Sequence, residues 1–314
     1  MNPNMRKTII SVVIPVYNEQ ANLPEMYSRL RMVLDDMGRP YEIIFVDDGS
    51  RDKSRELIRG FVSTTPAVRG LFLSRNFGHQ PAIAAGIDHA QGDCVILMDC
   101  DLQDPPELIP SLVSAWEQGN QVVFAVRKKR KESLPKRAAY RLFYRLLQRL
   151  ANIKIPLDSG DFSLIDRQVA DLLRKMPERN RFIRGLRSWV GFQQIGIEYE
   201  RAERYAGEAK YTLTKLLRLA FDGFVSFSYV PLRIAFWFGC FSFALSFAIG
   251  VWAAYERLTY GNAPQGWTSL MVVMTFLGGT QLMLAGIVGE YIARIYDEVK
   301  QRPYYIVGQE IGRK

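Results

Sequence analysis

Histidine and cysteine are scarce in this chain of 314 residues: two histidines, His79 and His89, and three cysteines, Cys94, Cys100 and Cys240, with no Cys-x-x-Cys spacing. That scarcity excludes a zinc cluster and a disulfide scaffold, and it suits thiols that stay reduced. No G-x-G-x-x-G follows a strand-length apolar run and no G-K-[ST] occurs, which argues against dinucleotide and P-loop sites. The N-terminal apolar run, after Arg6 and Lys7 and ending at Pro15, is too brief for a signal peptide and reads as a first strand. Acidic residues are nearly missing from one segment: between Arg127 and Arg149 ten Lys and Arg stand against the single Glu132, an excess equal to the whole net charge of +9. The rest of the chain is therefore neutral overall. An excess so confined argues against nucleic acid as a partner and for a local anion, either a phosphate or a membrane surface.

Strand-length apolar runs recur at 9–14, 41–46, 68–73, 94–98 and 122–126, with helical stretches between them. This βαβ series predicts an α/β domain on a parallel sheet. Asn22-Leu-Pro-Glu25 and Asp104-Pro-Pro-Glu107 read as helix starts, so Asn22 and Asp104 are expected as side-chain caps. Polar clusters follow three of the strands: Tyr17-Asn18-Glu19, Asp47-Asp48-Gly49-Ser50, and Asp99-Cys100-Asp101-Leu102-Gln103. Ligands of an open parallel sheet bind outside the carboxyl ends of its strands, so the three clusters are expected to converge. Asp99 and Asp101 are two apart in an extended stretch and point the same way, with Cys100 opposite. Two convergent carboxylates repel unless a cation joins them, and a hard divalent ion that also holds phosphates is the common solution. Arg75, Arg181, Arg184, Arg204 and Lys210 could supply the remaining positive charge.

Beyond about residue 230 the character changes: 234–255 and 268–289 carry no charged residue. Each run is near the length that crosses about 30 Å of hydrocarbon. The link between them has one basic residue, Arg257, whereas Arg294, Lys300, Arg302, Arg313 and Lys314 follow the second run, which orients both termini to the cytoplasm of a cell (inner) membrane. Small residues at four-residue spacing (Ser242, Ser246, Gly250; Ala285, Gly289) suit either a contact within the hairpin or a seam of a homo-oligomer. Within the basic segment, 127–131 is a loop, and from Pro135 arginines recur every fourth residue opposite Leu142, Phe143, Leu146, Leu147 and Leu150. Such a helix is expected to lie in the lipid interface, the other reading being a helix docked on the sheet with a wet arginine stripe.

The ordered motifs PVYNE (15–19), VDDGS (46–50), SRNFGHQPAIAAG (74–86), GDCVILMDCDLQDPPE (92–107), SGDFSLIDR (159–167) and RYAGEAKY (204–211), followed by two spans, resemble glycosyltransferase family 2. More narrowly they are similar to its dolichol-phosphate-mannose-synthase-like branch and, within it, the bacterial polyprenyl-phosphate glucosyltransferases. The resemblance implies a GT-A-type (Rossmann-like) sheet domain, a nucleotide-sugar donor, Mg²⁺ or Mn²⁺, and inverting transfer to a polyprenyl phosphate at an anionic membrane surface. It places Pro15, Tyr17, Glu19 and Asp48 at the donor, Asp99, Asp101 and Gln103 at metal and diphosphate, and Arg204 and Lys210 at the phosphates; Arg75 is expected at the donor as an available cation, and Arg127 and Arg130 of the basic loop are expected to steer the lipid phosphate. Ala209 stands where members often carry Ser. Asp158 and Asp161 fall near the reaction centre as base, metal holder or positioning group.

The domain reading is a cytoplasmic catalytic domain over 1–211 with an interfacial helix at 135–150, and a juxtamembrane helix at 212–230. Transmembrane helices follow at 231–255 and 268–293, an extracytoplasmic loop at 256–267 and a cytoplasmic tail at 294–314. Glucose from UDP-glucose onto undecaprenyl phosphate is the expected transfer. GDP-mannose, a UDP-4-amino-arabinose-type donor, a processive polysaccharide synthase and a non-enzymatic sensor are the alternatives. A phosphomonoester is already mostly ionised at pH 7, so a general base is not strictly required.

Overall fold

The computed structural model describes residues 9–127, 159–176, 178, 181–199, 230–260 and 266–312. The expected interfacial helix at 135–150 lies outside these residues, as do 212–229, Asp158, Arg130, Arg204 and Lys210. One compact unit gathers all the described strands and the shorter helices; two long helices form the other.

The five expected strands form as β1 (Ile10–Val16), β2 (Tyr41–Asp47), β3 (Val68–Leu73), β4 (Cys94–Leu97) and β5 (Val122–Arg127). Three more join them: β6 (Ser159–Asp166), β7 (Gln194–Tyr199) and β8 (Val307–Ile311). The sheet runs β7-β5-β6-β4-β1-β2-β3-β8. It is mixed rather than wholly parallel: β1 pairs parallel with β2 and β4, and β2 with β3, while β6 runs antiparallel to β4 and β5, and β8 antiparallel to β3. The central strands are near-continuous apolar runs because helices cover both faces, and every residue of β1 is buried.

Helices α1 (Leu23–Asp36), α2 (Ser54–Thr64), α3 (His79–His89), α4 (Ile109–Glu117), α5 (Arg167–Lys175) and α6 (Ile183–Trp189) pack around this sheet. Helix α1 turns Leu23, Met26, Leu30 and Leu34 inward, the three-and-four spacing of one helix face. Helix α3 lies so close to β1 that a Cβ on Gly86 would sit 2.1 Å from Val13 Cγ1. The two expected caps are corrected. Asn22 begins α1 with helical backbone and no capping bond, its amide donating instead to Glu19 Oε2 at 2.6 Å. After Asp104 a 3-10 turn, Pro106–Leu108, starts with Pro105 before it, and buried Asp104 accepts from the Tyr199 hydroxyl. A buried carboxylate needs a strong donor, and Tyr199 supplies one from 95 residues away.

The C-terminal segment also departs from the sequence reading, which closes the catalytic domain at 211 and leaves 294–314 as a tail. The second long helix continues to Val299, and β8 then completes the sheet. Ser11, Glu42, Arg69 and Glu310 form a polar row across β1, β2, β3 and β8: Ser11 donates to Glu42 at 2.5 Å, and Arg69 donates to Glu42 at 2.6 Å and to Glu310 at 2.8 Å.

In the other unit, α7 (Val230–Tyr260) and α8 (Trp267–Val299) contain segments, Ala235–Trp252 and Phe276–Val299, long and apolar enough to cross a membrane. Phe236, Trp237 and Phe243 are exposed. A Cβ added at Gly250 or Gly289 would meet nothing within 4 Å, so the approach of α7 to α8 is not built on these two glycines.

Candidate active site

Strand β1 leads to β2 and β3 on one side and has β4 on the other, so the order reverses between β1 and β4. Side chains just past the carboxyl ends of these strands face the resulting crevice. On the β1–β2–β3 side the loops are tied by hydrogen bonds between side chains and backbone. Asn18 takes a left-handed conformation (φ 54°), which Asn tolerates better than most residues. Its N–H donates to Ser50 Oγ at 3.0 Å and its Oδ1 accepts from Arg51 N at 2.8 Å, while Glu19 N donates to Ser54 Oγ at 3.0 Å. Asp47 is fully buried and accepts from Arg55 Nε at 2.6 Å.

Asp48 is buried and turns its two oxygens to the loop after β3, accepting from Phe77 N at 2.7 Å and Gly78 N at 2.9 Å. Burial raises its carboxyl above the ordinary range, and the two N–H groups pull in the opposite direction. Gly49 makes this approach possible. At φ 72° a Cβ would lie 2.6 Å from Asn76 N and 2.7 Å from Arg75 C. Arg75 stacks on the Phe77 ring, 4.2 Å from its centroid. Tyr17 is exposed beyond β1, where Pro15 is buried.

The β4–β6 side is built from charges. Antiparallel pairing sets Leu97 opposite Ser163, so Asp99, two residues past the one, is carried toward Asp161, two residues before the other. Cys100 is buried between the partly exposed Asp99 and Asp101, as the alternation predicts, and Leu102 is buried at φ 58°. A positive φ is uncommon for a residue such as leucine, and such backbone concentrates at functional sites. Asp101 Oδ1 accepts from Gln103 N at 3.2 Å.

Asp161 is clamped by Arg184, with Nε at 2.8 Å and Nη2 at 3.0 Å from its two oxygens. Burial alone would raise the Asp161 carboxyl; Arg184, assisted by His79, holds it well below the usual carboxylate range. His79 Nε2 stands 3.5 Å from Asp99 Oδ1 and 3.6 Å from Asp161 Oδ2. Burial opposes the imidazolium, and the two carboxylates more than offset it, raising His79 above its ordinary value. Asp99 is raised by burial, with His79 acting against the shift. One turn beyond Arg184, the buried Arg187 lies over the Phe124 ring, 5.3 Å from its centroid, and burial pushes its guanidinium down to about 10.

Asp99 Oδ1 is buried and accepts no hydrogen bond. Carboxylate oxygens left without a donor suit a cation. Among the described residues no three His, Cys, Asp or Glu side chains are already gathered as a ligand set. The structure thus brings Pro15, Tyr17, Glu19, Asp48, Arg75, Asp99, Asp101, Gln103 and Asp161 to the carboxyl edge of the sheet. Arg127 ends β5. Arg184 was available in the sequence as one of several cations, but its partner was not legible. His79, which opens α3 after the polar loop 74–78 at the end of β3, is a site residue that the sequence reading leaves out, although a polar loop at a fourth strand end is a usable signal.

The model of glycosyl transferase family 2 matches residues 11–173, and that of the GtrB C-terminal hairpin matches 230–295. Among curated proteins the chain is 46% identical over 303 residues to the uncharacterized glycosyltransferase YkcC of Bacillus subtilis, covering 96% of this chain and 94% of that one. It is 44% identical over 299 residues to the SfII prophage-derived bactoprenol glucosyl transferase of Shigella flexneri, covering 95% and 97%. To the prophage bactoprenol glucosyl transferase homolog of Escherichia coli it is 42% identical, covering 95% and 98%.

Proposed function

The chain belongs to glycosyl transferase family 2, and we propose that it transfers glucose from UDP-glucose to a polyprenyl phosphate such as undecaprenyl phosphate, with inversion at the anomeric carbon. The observation that carries this reading is the co-occurrence, in one chain, of the carboxylate pair at the sheet's switch point and a matched two-helix hairpin. Relatives named for bactoprenol glucosyl transfer are 44% and 42% identical to this chain over nearly their whole length.

In this reading Tyr17, Glu19 and Asp48 form the nucleoside end of the site with Pro15 beneath them. Each Asp48 oxygen accepts one backbone N–H, and a second lone pair on each stays available to a donor N–H. Arg75 and Gln103 serve the diphosphate. Asp99 and Asp101, with Gln103, would hold Mg²⁺ or Mn²⁺, and the donorless Asp99 Oδ1 fits that role. When bound, such an ion neutralises charge on the diphosphate leaving group.

Asp161 acts as a positioning group. A carboxylate clamped by a bidentate arginine and held below its usual range is a poor proton acceptor, and the lipid phosphate is an ionised nucleophile without one. Its work is to fix Arg184 and His79 beside Asp99. Arg127, Arg130, Arg204 and Lys210 are assigned to the acceptor phosphate, and Asp158 to the reaction centre, by sequence alone.

We place the protein in the cell membrane with α7 and α8 as antiparallel spans and both chain ends in the cytoplasm. What supports this is β8, which follows α8 and pairs with the sheet that precedes α7. Two spans return the chain to the side it left. The deciding experiment supplies purified full-length protein with undecaprenyl phosphate and radiolabelled UDP-glucose, GDP-mannose and a UDP-amino-arabinose donor, each with Mg²⁺ and with EDTA. Lipid-linked label from UDP-glucose alone, abolished by EDTA, is expected; label from another donor reassigns the sugar, and transfer in EDTA removes the metal.

A further inference from the structure

Seven residues, 300–306, join α8 to β8, and the last three of them touch the machinery around the donor loop. The Ile306 carbonyl accepts from Ser74 N at 2.9 Å. Ser74 opens the loop whose N–H groups at 77 and 78 hold Asp48 and which ends in His79. Tyr305 donates its hydroxyl to Asp88 at 2.8 Å, on the last turn of α3, the helix that His79 begins. The Tyr304 hydroxyl faces the Arg181 carbonyl at 3.4 Å, and the Arg181 guanidinium lies over the Tyr304 ring, 5.4 Å from its centroid. Arg181 leads into α6, whose first N–H, on Ile183, is bound by Gln80 of α3 at 3.0 Å, and whose next residue is Arg184. All three contacts therefore end on segments that deliver His79 or Arg184.

We propose that Tyr304, Tyr305 and the Ile306 carbonyl are positioning groups of the transfer site, fixing the donor loop, the last turn of α3 and the lead into α6 so that His79 and Arg184 meet Asp99 and Asp161. The inference rests on the reading of this crevice as the donor site. It gives the chain segment leaving the second apolar helix a role in donor binding, beyond closing the edge of the sheet. An edge strand alone would need only the β3–β8 ladder and the Arg69–Glu310 pair.

The test uses the full-length protein in nanodiscs and a Tyr304→Phe/Tyr305→Phe double variant, which keeps both rings. Gln309→Ala serves as a control on β8, since the Gln309 side chain accepts from the exposed Arg59, away from the donor loop. Amide hydrogen exchange is read at 74–79 and at the buried strand 10–16, and KM and kcat are measured for UDP-glucose. The double variant is expected to exchange about fivefold faster at 74–79, with 10–16 unchanged. Donor KM should rise about fivefold while kcat stays within twofold, and the control should match wild type in all readouts. Unchanged exchange at 74–79, an equal rise at 10–16, or faster loop exchange with an unaltered KM would each overturn the proposal. If no nucleotide sugar is turned over at all, the proposed activity fails on its own, and the exchange contrast between 74–79 and 10–16 still decides whether the tail positions the loop.

Discussion

The two sides of the crevice are held by different forces. Beside β1, β2 and β3, apart from the Asp47–Arg55 ion pair at the end of β2, the loops are tied by neutral backbone N–H groups donating to side-chain oxygens of Asn18, Ser50, Ser54 and Asp48. Beside β4 and β6, charge is matched with charge, Asp161 with Arg184, and His79 between Asp161 and Asp99. Backbone donors are fixed by the fold, so the first side is a preformed socket. Ion pairs can exchange partners when a more highly charged ligand arrives, so the second side is where a diphosphate and its cation would rearrange the site.

Substitutions on the two sides should separate these behaviours. The largest effect is expected at Asp99. Asp99→Asn should lower transfer by about 10²–10³-fold, the scale for losing a charge-stabilising group. Thermal stability should change little, because the loss of charge on an oxygen without a hydrogen bond is offset by the loss of one of the two carboxylates beside His79, which keeps Asp161. Rate and melting temperature on one preparation check both halves, and a large fall in stability would contradict the assignment. Arg184→Ala comes next. It leaves Asp161 without its bidentate partner and should cost about 2 kcal/mol, below the range for a fully buried pair because Arg184 is 31% exposed. Its melting temperature should fall by about 4–8 °C, and Arg184→Lys should recover part of the loss.

On the socket side, Gly49→Ala should cost about 1–2 kcal/mol through its positive φ. It must also push the 75–76 backbone away, so donor KM should rise about tenfold with little change in kcat; an unaffected KM would mean that this loop does not touch the donor. The smallest effect is expected at Asp48→Asn, where the amide oxygen keeps one of the two loop N–H bonds. One lost hydrogen bond corresponds to about a five- to tenfold rise in donor KM, measurable by initial-rate kinetics, and raised salt should change it little because no ion pair is broken.

The socket was more legible in the sequence than the charged side. Its residues lie within a few positions of apolar runs that can only be buried strands, and the parallel order of β1, β2 and β3 follows from the helices between them. The charged side needed pairings between distant residues. His79, Asp161 and Arg184 belong to three separate elements, and the antiparallel register of β4 with β6 brings Asp161 toward Asp99. Asp104 shows the same point in reverse. Its local pattern signals a helix cap, yet a buried hydroxyl far along the chain claims the carboxylate. Strand β8 was hidden for a related reason: five residues containing Gly, Gln and Glu carry little apolar pattern, and they become a strand by pairing with the open edge of β3.

What the sequence determined by itself is the class of the molecule: buried strands with polar ends, two helices with the length and composition of spans, and an ordered motif set placing the chain in its family. These depend on composition and short-range periodicity, which act before any tertiary contact forms. Only the tertiary structure decided which charges meet, which carboxylate oxygen lacks a donor, and that the chain returns after α8 to finish the sheet it began. Those outcomes depend on strand register and on burial, where an ion or hydrogen-bonding group must find a partner wherever the fold has placed one.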